Sequence, residues 1–295
     1  MSLTCNLGLS TQHFLVFMNK LLTGSKLAFI GCGVMAESII AGLLRKDLVK
    51  PSHIVASHPR SERRDELQKK YKIEAFEQNA DAVKAIGADN SMVVLCVKPQ
   101  RIKHVLADLK NVVLPEQLVI SIVAGATIEL ISETLDNSLV VRAMPNTPSQ
   151  IGQGMTAWTC TTEVGEKHRA QVKELLTALG KEIFVETENM IDMATSLSAT
   201  GPTYIFTFME AMTDAGVHLG FSRHVSQELV QQTILGSVLF AIESGKHPAE
   251  LRNMVTSPGG TSAEAIYQME KGSLRTVLSK AIYAAYKRAV ELGKK

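Results

Sequence analysis

The chain has 295 residues, 45% of them hydrophobic, and its 31 basic and 29 acidic residues leave a net charge of only +2. That is enough apolar material for a substantial core and enough length for two domains. Because both charge signs are mixed along the chain, neither a nucleic-acid-binding stripe nor a polybasic membrane patch is expected.

The four cysteines, Cys5, Cys32, Cys96 and Cys160, lie far apart without C-x-x-C spacing. This pattern argues against a disulfide framework and against a zinc site, so no metal is expected and a reducing cytoplasm fits best. Residues 1–25 read as a flexible extension. Their apolar run is interrupted by Gln12 and His13 and lacks a charged leader and a cleavage pattern, which makes a poor signal peptide and too short a membrane span. Met18 is an alternative start.

From residue 26 the chain alternates apolar runs with helical patterns. "KLAFIG" reads as a buried strand, "AESIIAGLLRKD" as a helix and "HIVAS" as a second strand. Further strands are predicted at "MVVLCVK", "LVISIVAG" and "LVVRAMP", with helices near 61–71, 79–86, 100–110 and 127–135. This repetition implies an α/β unit with a parallel sheet covered by helices on both faces.

The first turn carries Gly31, Cys32, Gly33, Val34, Met35 and Ala36 in the pattern G-x-G-x-x-A. Gly31 permits a tight turn, Gly33 lets a pyrophosphate approach the backbone, and Ala36 keeps helix and strand close. The helix that opens there aims amides and a positive dipole end at the phosphates, which marks a dinucleotide site. At the end of the second strand the chain reads Ser57, His58 and Arg60, with no acid before Glu62. A cationic, hydroxyl-bearing pocket suits a 2′-phosphate, so NADPH is expected ahead of NADH. The alternative is that Arg60, Arg63 and Arg64 are simply solvated at a helix start. Later strand ends bring Val97, Lys98, Pro99, Ala124, Gly125 and Asn146 to the same crevice; Lys98 receives no chemical role.

After Pro148, "GMTAWTCT" and "EIFVE" are candidate sheet extensions separated by a helix. From Glu188 onward the pattern is helical, at 189–197, 203–219, 224–243 and 274–292, and "QELVQQTILGSVLFAIESG" is apolar around much of its circumference. Such a helix must be buried on more than one side, which predicts an intimate dimer. No metal spacing, catalytic triad or tuned histidine is evident there. Polar chemistry is concentrated in "LSATGPTYIF", where Gly201-Pro202 should break or kink a helix, and in "SPGGTS" before an amphipathic helix.

"FIGCGVMAES", "CVKPQ", "VAGATI", "MPNTP", "LSATGPTYIF" and "SPGGTSAEAI" together resemble the pyrroline-5-carboxylate reductases, in order and spacing, over residues 26–292. The resemblance implies a Rossmann domain (26–187) followed by an all-helical dimerisation and substrate domain (188–295). It also implies dimers that can build decamers, and reduction of 1-pyrroline-5-carboxylate to L-proline by NADPH or NADH. It adds Asn79 to the cofactor contacts and Glu188 to the substrate contacts. In "SPGGTS" the amides of residues 260–262 are expected to form a nest for the substrate carboxylate, with Gly260, Thr261 and Ser262 as contacts. The plain alternative is a helix capped by Ser257 or Thr261. By resemblance the Ser262 hydroxyl orients the imine nitrogen, where the family most often has threonine, and the proton donor stays open. A 3-hydroxyacid dehydrogenase shares the architecture but implies a lysine and an asparagine that "SATGPTYIF" lacks. A non-catalytic NADPH sensor would need no nest.

Overall fold

The computed structural model describes residues 21–293, so the readings of residues 1–20, Met18 included, lie outside the described residues. Eight strands form one sheet in the order β3-β2-β1-β4-β5-β6-β7-β8. The first six are β1 (Lys26–Ile30), β2 (Ile54–Ser57), β3 (Glu74–Phe76), β4 (Ser91–Leu95), β5 (Leu118–Ser121) and β6 (Val140–Met144). They run parallel, while β7 (Gly154–Cys160) is antiparallel to β6 and parallel to β8 (Gly180–Phe184). The two extra strands expected after Pro148 therefore do extend the sheet.

Each central strand is buried along nearly its whole length because both faces are covered. One apolar cluster contains Leu27, Phe29, Met92, Val94 and Trp158; the other contains Ala28, Ile30, Val93, Leu95 and Val119. Helix α1 (Val34–Arg45) lies on the first face, and α3 (Asn79–Ile86), α4 (Ile102–Leu109) and α5 (Ile128–Leu135) cover the second. Strand order reverses between β1 and β4, and the crevice above their carboxyl ends is where ligands bind in open sheets of this type.

The expected boundary after residue 25 moves towards the N-terminus. Leu22 and Ser25 are fully buried, and the Leu22 amide donates to Glu174 Oε2 at 2.8 Å on α6 (Glu166–Thr177). Gln171 Nε2 donates to the Leu21 carbonyl at 3.1 Å. The pattern missed β3 because three edge residues bury too little to show a period.

Beyond the sheet the chain is helical: α7 (Asn189–Ala194), α8 (Gly201–His218), α9 (Arg223–Ser244), α10 (Pro248–Met254), α11 (Thr261–Lys271) and α12 (Leu274–Gly293). Between α7 and α8, Thr195–Ala199 forms a π-helical turn. Pro202 has no amide hydrogen, so it cannot satisfy the carbonyl of Ser198 four residues earlier. Asn146 Nδ2 donates to that carbonyl at 3.3 Å instead, which ties the helix break to the end of β6. The expected break thus takes the form of a π turn.

These helices lack a core of their own. Among the described residues of α8–α12, only Thr213, Ser226, Val230 and Ala289 are buried. Phe206, Leu235, Val238, Phe240 and Ile242 are each at least 50% exposed. Within the sheet unit packing is tight instead: a Cβ on Gly42 of α1 would sit 2.6 Å from the Ala178 carbonyl oxygen. Gly42→Val is expected to push α1 off α6 and lower stability by about 1–3 kcal/mol. An unchanged urea midpoint contradicts that packing.

Candidate functional site

The glycine turn is built by three close approaches. Gly31 has φ +81°, and Val97 Cγ1 fills the space where a side chain would go, so any other residue there is both strained and obstructed. Its amide donates to Ser57 Oγ at 3.3 Å, and the Ser57 hydroxyl donates to Asn79 Oδ1 at 2.8 Å. Ser57 is fully buried. It therefore braces the turn from beneath, a correction to its expected place facing a 2′-phosphate, and Asn79 at the first position of α3 completes the brace.

Gly33 differs. A Cβ there would meet only the Gly31 carbonyl, at 4.0 Å, so nothing in the protein demands glycine. The open space lies at the start of α1, where Gly33 is the N-cap and no side chain caps the helix. The first amides of a helix have no partner within it, so Val34, Met35 and Ala36 present donors to an anion. An open glycine beside uncapped amides fits a dinucleotide pyrophosphate. Cys32 takes part only through its backbone, because its side chain is buried and burial pushes its thiol up to about 12.

At the end of β2 the three arginines separate in role. Arg63, on α2 (Ser61–Tyr71), pairs with Glu37 and donates to the Cys32 carbonyl at 3.3 Å, holding α2 against the glycine turn. Arg64 donates to the His58 and Pro59 carbonyls, both at 2.9 Å, and pairs with Glu77. Arg60 is exposed, and its guanidinium makes no ion pair among the described residues. Burial, and then the charges of Arg60 and Arg63, hold His58 below the usual histidine range; its Nδ1 accepts the Arg60 amide at 3.2 Å. Of the three arginines that the alternative reading left solvated, Arg63 and Arg64 are committed to partners, and Arg60 has no ion pair among the described residues.

Burial alone would raise the Glu37 carboxyl, but hydrogen bonds from Arg63, Lys70 and Tyr71 outweigh it and lower it to about 2. A group depressed on folding adds stability above its unfolded pKa and loses it as pH falls through the folded one. That window runs from about 4.5 down to about 2.

Of the other expected residues, Lys98 is exposed, Val97 and Pro99 are half-buried, and Asn146 is a tether: Oδ1 accepts the Met155 amide at 2.9 Å. Gly125 has φ +75° and packs against the last turn of α12, with Leu292 2.8 Å from where its Cβ would lie. Glu188 is also committed. Its Oε1 accepts from Arg142 Nη1 and from the Ile128 amide, both at 2.8 Å.

At "SPGGTS", Gly259 has φ +70° and Gly260 is the N-cap of α11, with no side-chain cap. The capping alternative, by Ser257 or Thr261, is therefore not the arrangement found. The expected three-amide nest shrinks to two: the Gly260 amide donates to the Ser257 carbonyl at 3.0 Å, leaving those of Thr261 and Ser262. Every hydrogen bond of residues 248–273 among the described residues stays within the helices α9–α12. The nest does not lean on its own chain's sheet.

A family model for pyrroline-5-carboxylate reductase dimerisation matches residues 188–292, and one for NADP oxidoreductases, coenzyme F420-dependent, matches residues 26–125. A pyrroline-5-carboxylate reductase of Pseudomonas aeruginosa is 40% identical over 90% of this chain and 96% of its own. The chain belongs to the pyrroline-5-carboxylate reductase family. The Coxiella burnetii reductase structure superposes with a TM-score of 0.82 at 35% identity, over 92% of this chain and 99% of that one. The Plasmodium falciparum pyrroline carboxylate reductase, solved with NADP bound, also gives 0.82, at 29% identity over 91% and 98%. Within this reductase family fold the sequence did not single out Arg142, an arginine inside a strand pattern that gave no sign of its carboxylate partners.

Glu37→Gln is expected to flatten the fall in urea midpoint between pH 5 and pH 3. Equal slopes for parent and variant contradict the network assigned to Glu37.

Proposed function

We propose that the chain reduces 1-pyrroline-5-carboxylate to L-proline with NADPH, the last step of proline biosynthesis. The observation that carries this reading is the pairing of an open glycine crevice with an uncapped two-amide nest on one chain. NADH is accommodated less well. When bound, NADPH supplies the hydride for the imine carbon, which is already electrophilic when its nitrogen is protonated.

The chain's own residues bind and orient. Gly31, Gly33 and the first amides of α1 hold the pyrophosphate, and Arg60 takes the 2′-phosphate. Val97, Lys98, Pro99, Ala124 and Gly125 line the crevice beyond. Thr261 and Ser262 hold the substrate carboxylate through their amides, with Gly260 shaping the turn. The Ser262 hydroxyl orients the imine nitrogen. Fixing a small ring in this way accounts for a large share of the rate in a reaction that needs no covalent catalyst.

Residues 26–187, with the segment from Leu22 packed beneath them, serve as the cofactor domain, and 188–295 as the dimerisation and substrate domain. A homodimer covers the apolar faces of α8–α12 and sets the nest of one chain against the crevice of the other; decamers are built from such dimers. The proposed setting is the cytoplasm, in keeping with free Cys32, Cys96 and Cys160. No described helix is long and apolar enough to cross a membrane.

Thr261→Pro tests the nest, because proline is favoured at the first position of a helix and removes the amide hydrogen; Thr261→Val, which keeps the amide and lacks the hydroxyl, is the control for the lost side chain. Loss of one charge-assisted hydrogen bond is worth roughly 1.5–3 kcal/mol, so KM for the imine should rise about tenfold or more. NADPH affinity by fluorescence titration should stay unchanged. A variant with parental KM removes the nest. Arg60→Ala is expected to raise KM for NADPH and spare that for NADH; equal effects on both would argue against the 2′-phosphate contact.

A further inference from the structure

Arg142 is the largest fully buried side chain among the described residues, 1% exposed at the middle of strand β6. Its Nη1 donates to Glu188 Oε1 at 2.8 Å and its Nη2 to Asp192 Oδ1 at 2.7 Å. The two carboxylates are four residues apart, at the start of α7 and one turn on, so a single helical face grips the guanidinium. Its Nε is buried and has no hydrogen-bond partner among the described residues. A buried ion group that is incompletely satisfied is weak evidence of a stability device; well-packed apolar side chains do as well. What it supplies is a fixed geometry.

That geometry ends at one loop. The same Glu188 oxygen that receives Arg142 also accepts the amide of Ile128, the first residue of α5. Residues 122–127 join β5 to α5 and carry Ala124 and Gly125. From the other side the last turn of α12 presses on this loop: Leu292 lies 2.8 Å from where a Gly125 Cβ would be, and Gly293 is held close to the Gly125 carbonyl and to Thr127. The helical region therefore clamps one crevice loop from two directions, by α7 and by α12.

We infer that Glu188 and Arg142 are positioning residues that hold the Ala124–Gly125 loop for hydride transfer, with the backbone of the last turn of α12 as its backstop. This assigns Glu188 work on the protein's own loop, in place of contact with the substrate. The inference rests on the proposed imine reduction. It also links assembly to chemistry, since α7 and α12 belong to the region that the partner chain completes.

Glu188→Ala, Glu188→Gln and a chain ending at Glu291 would be compared with the parent by steady-state kinetics with NADPH and NADPH deuterated at C4, by NADPH fluorescence titration, and by amide hydrogen exchange. For Glu188→Ala the expected result is a fall in kcat of about ten- to a hundredfold at unchanged KM for the imine. It comes with a larger deuterium isotope effect, several-fold weaker NADPH binding and faster exchange over residues 124–128. Glu188→Gln, which keeps an acceptor for the Ile128 amide, should recover part of each. The chain ending at Glu291, which removes the backbone and Cβ of Leu292 from beside Gly125, should weaken NADPH binding and loosen the same loop with the ion group intact. A lowered melting temperature with parental kcat, isotope effect and loop exchange would overturn the inference, leaving a structural ion pair. If the parent does not reduce this imine, the functional reading fails, and exchange with NADPH titration still decides the role of Glu188.

Discussion

The organising constraint is that helices α8–α12 bury almost none of their apolar surface within one chain. Phe206, Phe240 and Ile242 remain open to solvent, and α9 carries exposed apolar residues on several sides. A helix of this kind is stable only with partners around it, so the free energy that folds this region has to come from association. The geometry of the site inherits the same dependence. The two free amides at the start of α11 stand on helices that, among the described residues, make no hydrogen bond to the sheet, and hydride transfer needs donor and acceptor carbons about 3–3.5 Å apart.

The sheet unit is the opposite case, self-sufficient and tightly specified. Strands β1, β2, β4 and β5 are buried over their length, and the glycine turn is fixed by Val97 above and by Ser57 with Asn79 below. Two devices connect this rigid half to the helices. Asn146 takes the carbonyl that Pro202 releases at the π turn, and Arg142 takes both carboxylates of α7. Each satisfies a polar group that would otherwise be costly to bury.

Much of this was legible in the sequence because it is local. A strand, two glycines at fixed spacing and a helix show themselves between Lys26 and Arg45, and the long helices declare their period. Partners distant in sequence left no such trace. Ser57 is indistinguishable from a surface-pocket serine until Gly31 and Asn79 close around it. Glu188 and Arg142 are separated by 46 residues, and nothing in either neighbourhood names the other. Only a folded turn reveals that the Gly260 amide is spent on Ser257. Likewise Leu22, read as part of a loose extension, is held by contacts with α6, some 150 residues away. Family resemblance supplied the chemistry, while the structure decided which groups remain free to perform it.

The most direct test of the central claim, that the crevice of one chain works with the nest of another, is complementation between two variants, each impaired in one half of the site, assayed with imine well below KM. Gly33→Val puts its Cβ into the open pyrophosphate space, 4.0 Å from the nearest described atom, and Thr261→Pro removes a nest amide while sparing the helix. Coexpressed, the two chains should form mixed dimers in which one of two sites is wholly intact. Statistical pairing then restores roughly a quarter of the parental rate. A coexpressed mixture no more active than the separately prepared variants combined would show that crevice and nest belong to the same chain, and would contradict this account.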